Sequence, residues 1–349
     1  MVIKTRFVLV AMIFAMALSL PALAQRRNQQ EQSAAPSTPA TQIGPIAQTK
    51  PELDAFVALQ NEQNPANMVT LSDKFLTTYP NSQLSGYIQR FRMFGLMRTG
   101  KCEEAITAGE AGLSWENNYL EQLQNADPKV NKIDKNSPEF KAFVTQTEGA
   151  RLQYYQTLMS CNQQLNNAEK TIEYGEKALK MNQEDLVSLL TVSTVLAEKA
   201  PADDKQKEEQ MKRALDLGKK AAEKVTQVLD GPAGAQMRED QKAGLRSQAH
   251  QTLGLANLHL KKLGDAQKEY LLAIEAKKDD PIAYYRLGLA YAQDRKNDQA
   301  MEALGKSVYL KGVSEAEARK TLQLLYEAKN KSAQGMEEYI ASVGQKIGQ

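Results

Sequence analysis

From Pro51 onward, large apolar residues recur at helical spacing with polar residues between them, which predicts one amphipathic α-helix after another. Two earlier stretches differ. Phe7 to Leu20 is an uncharged, mostly apolar run of 14 residues. Gln25 to Lys50 is rich in Gln, Ala, Ser, Thr and Pro and poor in large apolar residues. Such a segment buries too little surface to offset its ordering entropy, so residues 25–50 are expected to form a disordered linker.

The apolar run has the setting of an export signal. Lys4 and Arg6 precede it, and Ala22-Leu23-Ala24 supplies a small-x-small cleavage site before Gln25. Residues 1–24 therefore read as a cleaved signal peptide. The run is shorter than the ~20 residues that a spanning helix needs, and no later stretch reaches that length. No Cys lies near the site to carry a lipid anchor. The expected location is periplasmic or secreted, without stable membrane insertion after cleavage.

Helical periodicity repeats on a longer scale. Written under one another, the stretches from Ser247 and from Pro281 align Leu253-Gly254 with Leu287-Gly288, Ala266 with Ala300, Tyr270 with Leu304 and Ala273 with Ser307. Two antiparallel helices approach closely only where one presents a small residue, as Gly254, Ala266 and Ala273 can, with Leu253 and Tyr270 filling the space beside them. Asp280-Pro281 marks a helix start, with Asp as cap and Pro at the first position. The 34-residue period and these residues resemble the tetratricopeptide repeat. The resemblance implies an all-α fold, a right-handed superhelical array of helix–turn–helix units (an α-solenoid), over residues 51–349.

The clearest units are 247–280 and 281–314, and weaker ones are expected at 52–85, 86–117, 152–185 and 186–230. In the unit from Gly86, Met93 stands where the family prefers a small residue, and Gly109 where it prefers an aromatic one; Gly175 makes the second departure again. Residues 118–151 fit no repeat and include Asp127-Pro128 and Ser137-Pro138 as breakers. Glu315–Lys329 and Ala333–Val343 are expected to form a terminal cap. Tyr79-Pro80-Asn81-Ser82 is similar to the helix-pair ending of exported Tol-Pal and outer-membrane-assembly repeat proteins.

Composition agrees with helices. Aromatic residues make up 6%, and 20 Gly and 12 Pro in 349 residues are too few for the frequent turns of a β-sandwich or barrel. The net charge of +2 resides in Lys4 and Arg6, so the chain from Gln25 on is neutral. A neutral body argues against nucleic acid as partner, which needs a clustered basic excess.

Catalytic chemistry finds few candidates. The only histidines, His250 and His259, lie nine residues apart on one predicted helix, about half a turn out of phase, and cannot share a metal. No metalloprotease, serine-hydrolase or phosphate-loop motif occurs. No enzyme activity, metal or cofactor is expected. The two cysteines, Cys102 and Cys161, are a candidate disulfide in an oxidising compartment, closing 59 residues for about 4 kcal/mol; the alternative is a pair of buried thiols.

Family resemblance also implies where a partner would bind. First helices of such repeats line a concave groove that grips peptides or helices. Carried onto this chain, groove positions include Tyr87, Arg90, Phe94, Gln156 and Gln163 in the earlier units. They include Gln251, Leu255, Tyr285 and Leu289 in the later ones. The expected groove is amide-rich and apolar, unless residues 118–151 fill it. The expected function is an exported adaptor for proteins or peptides in cell-envelope assembly; the alternative is a permanent subunit of an outer-membrane or secretion complex.

Overall fold

The computed structural model describes residues 43–125 and 134–347, and these form 15 helices and no strand. The signal segment with its Ala24–Gln25 cleavage site, and residues 25–42 of the expected linker, lie outside the described residues. The chain divides into two compact units, one ending at Asn182 and one beginning at Gln183.

In the first unit, hairpins pair α1 (Lys50–Asn61) with α2 (Pro65–Thr78), α3 (Ser85–Arg98) with α4 (Cys102–Asn125), and α5 (Pro138–Gln164) with α6 (Ala168–Met181). Side-chain caps start many of these helices. Thr49, Asn64, Ser137 and Asn167 each accept a backbone N–H of the following turn. Ser137-Pro138, expected as a breaker, is thus the start signal of α5. Residues 118–125 and 138–151, which fit no repeat, add extra turns to α4 and α5.

In the second unit, α7 (Leu186–Glu198) pairs with α8 (Asp204–Asp230), and the one-turn α9 (Pro232–Ala235) follows. Next come α10 (Glu239–His259) with α11 (Leu263–Ala276), and α12 (Pro281–Gln293) with α13 (Asn297–Leu310). The terminal pair is α14 (Glu315–Asn330) and α15 (Met336–Gly344), close to the expected cap.

The close contacts fall where the small residues predicted them. A Cβ on Gly254 would come within 2.6 Å of the Tyr270 ring, and one on Gly288 within 2.6 Å of Leu304. Ala266, Tyr270, Ala273, Ala300 and Leu304 are fully buried. The turns repeat as strictly. Gly100, Asn166, Lys261 and Arg295 occupy one register position in four hairpins, and all have φ between 58° and 78°. The N–H of each following residue donates to the carbonyl five residues back: Lys101 to Leu96, Asn167 to Asn162, Lys262 to Asn257, and Lys296 to Tyr291, each at 2.9 Å. That bond closes the first helix of each hairpin and aims the second.

Candidate functional site

In the second unit the first helices α7, α10 and α12 lie side by side. Leu255, Tyr285 and Leu289 are half-buried on α10 and α12, with Leu255 and Leu289 at the same register position one repeat apart. Tyr285 rests against the cluster of Met301, Leu304, Ala318 and Leu322.

A polar brace ties these helices together. Asp280 caps α12 with one carboxylate oxygen, accepting Ile282 N–H at 3.0 Å and Ala283 N–H at 3.2 Å. Its other oxygen accepts Gln251 Nε2 at 2.9 Å and the Ser247 hydroxyl at 3.2 Å. Arg286 donates to Gln251 Oε1 at 3.3 Å and to Glu198 at 2.9 Å, so one guanidinium reaches α7 and α10 from α12. Gln251, expected as a groove amide, is buried and used at both ends inside this brace. Burial pushes the Glu198 carboxyl up although Arg286 opposes it. His259, half-buried nearby, is held below its ordinary range by burial and then by Lys207 and Arg286. His250 Nδ1 lies 2.8 Å from Glu269, so the two histidines meet different neighbours.

In the first unit the expected groove positions fall largely inside the core, which corrects the sequence expectation. Tyr87 and Phe94 are buried in one cluster with Phe56, Phe91 and Leu96. The Tyr87 ring lies 6.3 Å from Phe56 and 6.1 Å from Trp115, and the Arg90 guanidinium lies 5.4 Å over it. Arg90 Nη1 is 3.7 Å from Glu116, with both side chains buried. Gln156 is buried as well, and Gln163 is half-buried near the end of α5. The reason is the length of α4: its later turns bring Trp115 onto Gly86 and Tyr119 onto Trp115, with rings stacked at 5.0 Å.

Glu116 is the unusual group of this cluster. Neither carboxylate oxygen has a hydrogen-bond partner, and the Tyr154 hydroxyl beside it donates to the Gly86 carbonyl at 3.1 Å. Burial raises its pKa from an ordinary 4.5 to about 7, against the pull of Arg90 and Arg151. The periodicity could not reveal this partnership, because Arg90 and Glu116 lie on different helices. Trp115 and Tyr119, four residues apart on one helical face, were a sequence signal for the aromatic cover.

The end of the expected linker also differs from expectation. Gly44 and Pro45 are buried, Ala47 rests on the Tyr87–Phe94 cluster, and Ile43 packs with Leu120, Leu123, Phe140 and Phe143. Tyr119 Oη donates to the Ile43 carbonyl at 3.3 Å, and burial pushes its phenol up to about 12, which keeps the proton on.

Cys102 and Cys161 are both buried neighbours and carry free thiols; the Cys102 thiol donates to Gln164 Oε1 at 3.3 Å. Burial raises both thiol pKa values. Among the described residues no group of three or more His, Cys, Asp or Glu is placed to hold a metal ion, and no helix is long and apolar enough to cross a membrane.

The recurrent small-residue contact and the repeated left-handed turn decide the fold. This is a tetratricopeptide-repeat fold. No protein-family model and no curated protein matches the sequence. Similar solved structures include a thermophilic tetratricopeptide protein of Thermus thermophilus (14% identity, TM-score 0.40, covering 69% of this chain and 98% of that one). Another is a tetratricopeptide repeat protein of Parabacteroides merdae (12% identity, TM-score 0.43, covering 85% and 97%). A third is the C-terminal part of a repeat-containing protein of Cytophaga hutchinsonii (14% identity, TM-score 0.44, covering 85% and 95%).

Proposed function

We propose that the chain is an exported scaffold that holds extended peptides or helices of other proteins on the face formed by α7, α10 and α12, in the assembly of cell-envelope components. The observation that carries this reading is the half-buried apolar set Leu255, Tyr285 and Leu289 on adjacent first helices. Such a set offers anchors for alternate side chains of a bound segment. The Asp280–Gln251–Arg286–Glu198 brace fixes the helices beneath it, so little ordering accompanies binding. The protein acts without chemistry, by selecting shape and apolar side chains.

Export rests on the first 24 residues: a basic start, a short apolar run and a small-x-small site. An N-terminus at Gln25 in the mature protein is the expected result, and retention of Met1 contradicts export by this route.

One observation favours a second reading, a permanent subunit of a larger envelope complex. Leu271 on α11, Tyr309 on α13 and Leu324 on α14 are 47%, 46% and 62% exposed, and an obligate interface would cover such residues. A purified chain that stays monomeric favours the scaffold. Replacing Tyr285 and Leu289 together by Ala tests the proposed face: partner co-purification falls while helicity by circular dichroism is kept. Unchanged co-purification removes this face from the account.

A further inference from the structure

The left-handed turn position is filled differently in the two units. The first unit uses Gly100 and Asn166, residue types that adopt this backbone readily. The second uses Lys261 (φ 58°) and Arg295 (φ 60°), and Lys331 (φ 60°) stands in its α14–α15 turn. A long side chain brings its Cβ clash to that backbone and no local bond to offset it. The position after it departs from preference as well. Asn167 caps α6 through its side chain, whereas Lys262 and Lys296 start α11 and α13 with no side-chain cap bond. Each also sets a cation at a helix N-terminus, where the dipole opposes it.

From α10 to α14 each helix packs back against the one before it, so α10, α12 and α14 point the same way. The turns at their C-terminal ends therefore share one edge of the second unit. Lys261, Lys262, Arg295 and Lys331 are all exposed there. The acids of this edge are already used. Asp294 pairs with Lys296 and Asp298 with Lys329, each at 2.7 Å. Asp204 pairs with Lys207 at 2.8 Å and feels Lys261 only as a further charge. Asp265 belongs to the first turn of α11, which favours an acid. Among the described residues Lys261, Lys262 and Arg295 form no ion pair, and Lys331 donates only to the Ala328 carbonyl of its own helix, at 3.1 Å. Lys311 (φ 61°) follows a second helix, α13, and belongs to the opposite edge.

Residue choices that cost stability and serve no contact within the chain point to a contact outside it. We propose that Lys261, Lys262, Arg295 and Lys331 form a docking edge for an acidic, extended segment of a partner polypeptide, whose carboxylates pair with successive turns. Asp265, Asp294 and Asp298 stand among these cations, so the edge is a row of separate charges. An extended chain can set its acidic side chains opposite the cations and its backbone opposite the acids. A uniformly anionic lipid surface or nucleic acid would meet the acids too and be repelled by them. The edge is distinct from the α7, α10 and α12 face, so either proposal can fail without the other.

Fluorescein-labelled dodecaglutamate, titrated into the full chain at low salt and read by anisotropy, tests the edge. The unsubstituted chain should bind it saturably, more weakly as salt rises, and should not bind a labelled (Ser-Gly)6 peptide. Lys261→Gly with Arg295→Gly removes charge and turn strain together: affinity should fall about tenfold while the melting temperature rises. Lys261→Gln with Arg295→Gln should lose the same affinity, and it carries the test if the glycine variant misfolds. Lys268→Gln with Lys320→Gln, two exposed lysines away from these turns, should bind as the unsubstituted chain does. No saturable binding by the unsubstituted chain overturns the proposal, and so does an equal loss in the Lys268 and Lys320 variant, which would reduce the effect to bulk charge. A glycine variant that melts lower and binds unchanged overturns it too. Phosphatidylglycerol vesicles are the last arm: binding to them that the edge variants abolish, without binding of the peptide, makes lipid the occupant and overturns it.

Discussion

Met93 Sδ lies where a Cβ on Gly109 would come within 2.8 Å of it. In the α10–α11 hairpin the same two register positions hold Gly254 and Tyr270. Bulk has changed sides across the helix–helix contact: the first helix supplies the large residue and the second the small one. A flexible thioether can yield where a packed ring cannot. Gly109→Ala is therefore expected to cost about 1 kcal/mol or less, and Gly254→Ala about 2 kcal/mol or more. Pairing Gly109→Ala with Met93→Ala should relieve the first cost. Urea unfolding of the single and double variants measures this, and strict additivity would contradict the direct contact.

Three of the four left-handed turn positions carry side chains: Asn166, Lys261 and Arg295 have φ of 59°, 58° and 60°. Glycine adopts that conformation without the clash of a Cβ. Lys261→Gly and Arg295→Gly should each stabilise the chain by about 1 kcal/mol, and Gly100→Ala should destabilise it by a similar amount. Thermal unfolding checks the signs; a fall in melting temperature for both glycine variants refutes the turn argument.

Glu116 gives the stability a pH dependence of known sign. Its pKa is about 7 in the folded chain against an ordinary 4.5, so the folded state holds the extra proton between those values. Stability contributed by this group is greatest at the acid end and declines as pH rises through that window. Glu116→Gln should remove the decline, retaining roughly 2 to 3 kcal/mol at about pH 8 that the unsubstituted chain loses. Urea midpoints at acid and alkaline pH test it, and parallel profiles for the two proteins are the contrary result.

Cys102 and Cys161 are buried neighbours whose thiols burial makes harder to ionise. Thiolate is the reactive form, so the folded, reduced chain should react slowly with an aromatic disulfide reagent at neutral pH and release both thiols on unfolding. Fast native reaction of both would contradict the burial. In an oxidising compartment a disulfide-class oxidant can take two electrons and two protons from the pair. Chain recovered from there should then weigh two hydrogens less on non-reducing mass analysis; two free thiols would contradict closure.

Repeat architecture was legible because each contact needs a small residue at a fixed place, and Gly254, Ala266, Gly288 and Ala300 announce it. Turn positions were not, because three of four lack the glycine that usually marks φ above zero. Groove positions transferred poorly onto α3 and α5. A repeat register says which face of a helix a residue occupies, not what covers that face. Here Trp115, at the end of its repeat, lies against Tyr87, and Tyr119, one turn beyond the repeat, stacks on Trp115. Gln251 fits its register and still is no free amide, because Asp280 and Arg286 engage it. The packing of residues 43–47 was hidden by composition: a Gln-, Ser- and Pro-rich stretch carries Ile43, which packs on Leu120, Leu123, Phe140 and Phe143.

The central claim is partner capture on the first-helix face of the second unit. Site-specific photocrosslinking in producing cells tests it most directly, with the photoreactive residue at Leu289 in one variant and at Leu271, on the outer side, in another. The account predicts a discrete protein adduct from position 289 that Tyr285→Ala with Leu255→Ala suppresses, and none from 271. Adducts from 271 with none from 289 would contradict it.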